Sequence, residues 1–140
     1  MANIFDTLLN TKELEIFVTA IQITDLDRVL KSGHEFTIFA PNNRAFTSLP
    51  KLVLQNISQN IPLLTRVLNA HITYGKLRHS DIVNTYDLGT RKISKTSING
   101  LRLDLDLNDG IKIGDARILS VDTVADNGII YPIDRVIIPH

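Results

Sequence analysis

Asp126-Asn127-Gly128-Ile129-Ile130-Tyr131-Pro132-Ile133-Asp134-Arg135-Val136-Ile137-Ile138-Pro139 is the stretch on which the reading of this chain turns. A polar Asp-Asn-Gly turn feeds a run of branched apolar residues, broken by Pro132 and by the Asp134-Arg135 pair. Asn-Gly supplies positive φ cheaply, and Ile and Val fit a pleated surface, so the pattern predicts a tight turn into one or two buried strands. Pro132 cannot donate a ladder hydrogen bond and predicts an edge or a bulge where it stands. A strand this apolar has to be covered by the residues that precede it.

Those residues divide into a helical half and a strand-rich half. Asn3 is placed to cap a short helix through Leu9, and Thr11 a longer one in which Leu14, Phe17, Val18 and Ile21 recur at i, i+3, i+4, i+7. Thr24 begins another short helix with Leu26, Val29 and Leu30, stopped by Gly33. Phe36 to Ala40 reads as a compact strand that Pro41 stops, and Asn42 caps a helical turn ending near Phe46. Leu49-Pro50 opens a helix bearing Leu52, Val53 and Ile57. Pro62 suits the first turn of the next, where Leu64, Val67, Leu68 and His71 form a stripe.

Beyond Tyr74-Gly75 the period shortens. Ile93 to Ile98 reads as a strand, Asn99-Gly100 as a hairpin turn, and Leu101 to Leu107 alternates strictly, one face core and the other solvent. Asn108-Asp109-Gly110 turns the chain again, and Ile111 to Ile113 and Ala116 to Val121 continue the sheet. Helices first and a meander of strands after predict an α+β fold, one domain over residues 1–140, with helices packed on an antiparallel or mixed sheet.

Composition narrows the function classes. The 140 residues are 44% apolar and 21% charged, which suits a folded domain with its own core. Cysteine is absent, excluding disulfides and thiolate metal sites while leaving the compartment open. Formal net charge is zero, so nothing points to nucleic acid or an acidic membrane as partner. Charge is nonetheless uneven along the chain: Phe36 to Leu103 holds nine bases against Asp81 and Asp87, whereas seven aspartates face three bases from Asp104 onward. Two readings stand, a mixed solvated surface and a bipolar one that orients docking. No apolar run approaches the ~18 residues of a membrane span, and Met1-Ala2-Asn3 leads into Ile4-Phe5 without a basic and apolar leader, an expectation of an intracellular protein.

Candidate chemistry is sparse. No nucleophile elbow, Gly-rich phosphate loop or HExxH pair is present, and His34, His71, His79 and His140 are scattered. His71, on an apolar stripe, fits a hydrogen-bonded core histidine better than a ligand or base. His79-Ser80-Asp81 fits helix capping better than catalysis. Asp104-Leu105-Asp106-Leu107-Asn108-Asp109-Gly110 superficially resembles a calcium loop, but Gly stands at the seventh position instead of the sixth, and position twelve is Asp115 instead of Glu. Asp134 reads either as a carboxylate satisfying backbone donors or as half of a functional ion pair with Arg135. Asn56-Ile57-Ser58 is a formal glycosylation sequon, relevant only to an exported chain. The residues imply no enzyme, no cofactor and no metal.

Two boxes carry a family resemblance. Asn127-Gly128-Ile129-Ile130 with Ile133-Asp134-Arg135-Val136-Ile137-Ile138-Pro139 is similar to the second box of the fasciclin domain, and Phe36-Thr37-Ile38-Phe39-Ala40-Pro41-Asn42-Asn43-Arg44-Ala45-Phe46 to its first. His71 matches the central His. The family's preceding Tyr is Ala70 here, and its late His-Val is Tyr131-Pro132. The resemblance implies a wedge-like β sandwich with a helical bundle on one side, and a non-enzymatic binding module, often adhesive. It marks Thr37, Phe39, Ala40, Pro41, Asn42, Phe46, His71, Asn127, Gly128, Ile133 and Asp134 as motif residues. Asp81-Ile82 matches a pair implicated in receptor contact in some members.

The short leaderless form also resembles the fasciclin-type small subunit of the cyanobacterial type I NAD(P)H dehydrogenase complex for carbon dioxide uptake. That resemblance implies an accessory subunit, monomeric on its own, docking on subunits of a larger membrane-associated complex. Two alternatives stand beside it: an adhesion module of an exported protein, and a binder of an apolar ligand such as a carotenoid or lipid.

Overall fold

The computed structural model describes residues 3–85, 89, 91–108, 110–120 and 123–138; Asp87, Asp109, Val121, Asp122, Pro139 and His140, which enter the readings above, lie outside them. Helices dominate the first half: α1 (Ile4–Leu9), α2 (Glu15–Ile23), α3 (Leu26–Leu30), α4 (Asn43–Thr47), α5 (Lys51–Ser58), α6 (Ile61–Asn69) and α7 (His79–Thr85). Between them run β1 (Phe36–Pro41) and β2 (Ile72–Tyr74). The strands β3 (Lys92–Thr96), β4 (Arg102–Asp106), β5 (Lys112–Ile113), β6 (Ala116–Arg117), β7 (Thr123–Ala125) and β8 (Gly128–Ile133) follow.

The strands form two four-stranded sheets, in the orders β2-β1-β8-β7 and β3-β4-β5-β6. The α+β class is as expected. In the first sheet β1 and β8 lie side by side in parallel, Phe36 opposite Gly128 through to Pro41 opposite Ile133, so the two motif boxes form the centre of one sheet. Every residue of β1 is buried, because each face of that sheet meets a different layer. Phe36, Ile38, Ala40, Ile72 and Ile130 pack with the helices. Phe39, Ile129, Tyr131 and Ile133 pack with Leu103, Leu105 and Ile113 of the second sheet. The strand period of two thus sends alternate side chains into two cores, with the first sheet as the middle layer.

Several expectations are corrected by local hydrogen bonding. Pro132 neither ends nor displaces β8, which is internal to its sheet. Its carbonyl accepts from Leu119 at 2.9 Å, and its ring nitrogen faces the same flank, where pairing with β7 has stopped at Ile130. Neither Asn127 nor Gly128 adopts positive φ, so the turn does not use the freedom that Asn-Gly offers. Gly128 is required instead for contact, since a Cβ there would collide with the Phe36 carbonyl oxygen and lie 2.5 Å from Ile4 Cδ1. Thr11 makes no cap bond; its hydroxyl donates to Thr7 O at 2.9 Å, and a 3-10 turn at Lys12–Leu14 precedes α2. Thr24 closes α2 through Ala20 O at 2.9 Å, and α3 begins only after Asp25 at φ 59°. The expected strand from Ala116 is short because Ile118 leaves to bridge Ile133 of the other sheet.

Candidate functional site

The polar motif residues form a set of hydrogen-bonded staples around the two central strands. Thr37, fully buried on β1, donates to Gly75 O at 2.7 Å and accepts the Leu77 N–H at 2.8 Å. Tyr131 of β8 donates its phenol to Leu77 O at 2.6 Å, and its ring stacks on Phe39 with centroids 5.7 Å apart. Both backbone groups of Leu77 are therefore held by side chains of the adjacent central strands. A buried tyrosine needs a partner for its hydroxyl, which is the signal by which Tyr131 could have been found from sequence.

Asn127 serves three elements at once. Its Oδ1 accepts the Ile4 N–H at 2.7 Å, its Nδ2 donates to Leu30 O at 2.9 Å, and its carbonyl accepts the Phe36 N–H at 2.9 Å. The turn, α1, α3 and β1 meet on this one side chain and its backbone. Asn42 caps α4 by accepting the Ala45 N–H at 2.8 Å, while its own N–H donates to Ile133 O at 3.0 Å. Its neighbour Asn43 accepts the Ile16 N–H at 2.9 Å and donates to Lys12 O at 3.2 Å. The doubled asparagine caps two helices, α4 and α2.

His71 follows α6 and is wholly buried. Its Nδ1 lies 2.7 Å from Val67 O and its Nε2 lies 2.8 Å from the Ile137 nitrogen. A carbonyl can only accept and an amide only donate, so Nδ1 carries the proton and Nε2 accepts. Burial lowers the pKa from 6.5 to about 4, against the opposing bond to Val67, so the ring is neutral. With both nitrogens engaged, it ties the segment after β8 to the helical layer. Asp134 adds a second tie, accepting the Arg117 N–H at 2.7 Å.

Asp81 and Ile82 occupy α7. The Asp81 carboxylate accepts the Arg78 N–H at 3.0 Å, and Ile82 is fully buried. Of this pair, only Asp81 is presented to solvent. Phe46, Ala40, Pro41 and Ile133 are buried as well.

The basic middle and acidic end of the sequence interleave on the second sheet. Across β3 and β4, Lys92 faces Asp106 and Ser94 faces Asp104, and across β4 and β5 Asp106 faces Lys112. Asp104 accepts from Ser94 Oγ at 2.7 Å and Arg102 Nε at 2.9 Å, which hold its carboxyl below the ordinary range. Asp106 is lowered by the backbone and side-chain donors of Asn108. These two carboxylates are thus engaged by local donors, as a strand and its turn require. Among the described residues, no three His, Asp or Glu side chains converge as metal ligands.

Among the described residues, concavities open on the surface at two places of note. One, of about 510 Å³, lies between the segment Arg135–Ile138, the α4–α5 connection and β4, with Arg102, Asp104 and Asp115 on its wall. The other, of about 310 Å³, is an apolar groove between α2 and α5 floored by Phe46 and Leu64.

A family model for the fasciclin domain matches residues 12–139. The Synechocystis sp. protein sll1735 is 34% identical over 138 residues, covering 99% of this chain and 98% of that one. The chain belongs to the fasciclin domain family. A FAS1 domain pair from the insect cell adhesion molecule Fasciclin I superposes with a TM-score of 0.69 at 24% identity, over 91% of this chain and 46% of that one. Transforming growth factor-beta-induced protein ig-h3 of Oryctolagus cuniculus is 27% identical over 137 residues, 97% of this chain but 19% of that protein. Fasciclin domains are protein-interaction and adhesion modules, and the staples described here show what the fasciclin boxes contribute to the fold. They join β1, β8, the α1 and α3 ends and the tail. Among the described residues, no helix is long and apolar enough to cross a membrane.

Proposed function

We propose that this chain is a non-catalytic docking module, a single fasciclin domain over residues 1–140 that serves as an intracellular accessory subunit of a larger membrane-associated complex. The observation that carries the reading is the match to sll1735, which runs over 99% of this chain and 98% of that protein. A domain of this kind offers a surface rather than a reaction centre, and the motif residues, engaged in internal bonds, act as the scaffold beneath it. The candidate assembly is the cyanobacterial type I NAD(P)H dehydrogenase complex for inducible carbon dioxide uptake, on the resemblance of the sequence to its fasciclin-type small subunit.

A second reading, an adhesion module of an exported protein, rests on a different observation. The cell surface glycolipoprotein MPB83 of Mycobacterium bovis is 32% identical over 99 residues, 66% of this chain and 44% of that one. Affinity capture of the tagged protein from gently solubilised native membranes, with mass spectrometry, separates the two. Dehydrogenase subunits in fixed ratio are the expected result. A lone protein, or one recovered from the cell exterior, would overturn the accessory-subunit reading.

A further inference from the structure

The groove between α2 and α5 is a helix-sized slot with one charged side chain in its wall. Ile16, Ala20 and Ile23 of α2 face Leu54 and Ile57 of α5 across it. Ile16 and Ile23 remain 37% and 54% exposed, one at each end of the slot. The nine residues of α2 make it about 13.5 Å long, two and a half turns of helix at about 1.5 Å per residue. Glu15, beside Ile16, is the only charged residue of the lining, and among the described residues its carboxylate has no ion pair and no side-chain hydrogen bond.

From this geometry we infer that the groove docks an amphipathic helix of a partner protein, one that carries Lys or Arg beside an apolar face of two turns. An apolar slot between two helices is filled by anchors at i, i+3 or i+4, and i+7 of a third. An unpaired carboxylate at its edge gains from a base and repels an acid. The same carboxylate disfavours an anionic lipid surface. It also disfavours a second copy of this chain, since a two-fold pairing sets the patch against itself and so offers Glu15 no base, Glu15 being the lining's one charge. A volume of about 310 Å³ sits at the low end of small-molecule sites, short of what a long polyene fills. The inference rests on the docking-module reading and names the surface it uses.

The test titrates isotope-labelled full-length protein with a synthetic helical peptide bearing leucines at i, i+3, i+4 and i+7 flanked by lysines, and with a twin carrying glutamates. The lysine peptide shifts the amide signals of Ile16, Thr19, Ile23 and Ile57. Glu15→Lys weakens it about tenfold, the scale of one charged contact, and reverses the preference between the twins. Ile23→Asp, at an exposed position that leaves the core intact, removes both. Equal binding of the twins, shifts elsewhere, no binding, or seating of phospholipid micelles in preference to peptide would overturn the inference. Native-membrane capture keeps the two readings apart. If wild type and Ile23→Asp recover the same subunits, the groove fails and docking survives. If neither recovers any while the lysine peptide still seats, that assembly fails and the groove survives.

Discussion

His71 Nε2 accepts the backbone N–H of Ile137 at 2.8 Å, joining a residue at the end of the helical layer to one 66 positions later. Protonation of that nitrogen forbids the bond. The ring stays neutral in the fold down to about pH 4 but takes a proton from 6.5 downward when unfolded, so between these values the unfolded chain binds more protons. Stability is complete above pH 6.5 and falls as pH drops toward 4, by about 3 kcal/mol in all. Urea midpoints across this window should show the decline, and His71→Leu should flatten it while lowering the midpoint at neutral pH. An undiminished slope in His71→Leu would place its origin elsewhere.

Gly128→Val should be the most damaging of the turn substitutions. Its Cβ would meet the Phe36 carbonyl and Ile4 Cδ1, and strand separation is the only relief, so a loss above about 3 kcal/mol is expected. Asn42→Ala removes one cap, on α4, and should cost about 1 kcal/mol. Thermal unfolding ranks the two. Both should bind partners normally where folded.

Asn127→Asp keeps an acceptor for Ile4 N–H but loses the donor to Leu30 O, whereas Asn127→Ala loses both. Each should cost about 3 kcal/mol, the first because a carboxylate oxygen is set against the Leu30 carbonyl and the second because two groups are orphaned. Amide exchange at Ile4 should quicken only in the alanine variant.

Tyr131→Phe leaves the stack on Phe39 and deletes the bond to Leu77 O, for about 1 kcal/mol. Thr37→Val leaves the buried Leu77 N–H without its acceptor and should cost about 2 kcal/mol. Exchange of the Leu77 amide rises sharply in Thr37→Val and little in Tyr131→Phe.

Arg91 is held at φ 57°, where its Cβ crowds the following carbonyl. Arg91→Gly should raise stability by up to about 1 kcal/mol, because relief of that strain exceeds the extra entropy glycine loses on folding. A lower melting temperature would show that the arginine side chain contributes more than its backbone costs.

How far the sequence disclosed this structure depends on the range of the forces involved. The α2 stripe, the Asn3 and Asn42 caps and the alternation of β4 were legible because each is decided within a few residues. The start of α3 departs from the local pattern because Asp25 turns left-handed and Thr24 serves the helix behind it. The place of Pro132 inside the sheet is not legible locally, because its tolerance depends on where β7 stops pairing, a fact of register rather than of composition. Asn127 and Gly128 signal a turn locally, but positive φ is not what the fold asks of them. Their use lies in Ile4, Leu30 and Phe36, about a hundred positions away in sequence, and no local signal names those partners. The groove was invisible for the same cause, since α2 and α5 each look complete alone.

The parallel pairing of β1 with β8 has a kinetic meaning. Phe36 and its neighbours must wait for Gly128 to Ile133 before the centre of the sheet exists. Antiparallel β2 can lie against one side of β1 early, but the other side stays open throughout synthesis of roughly ninety intervening residues, a loop whose closure entropy is met late. On the ribosome, then, the helical half emerges with an unpaired apolar strand exposed. It is while β1 waits for β8 that this protein most needs a chaperone.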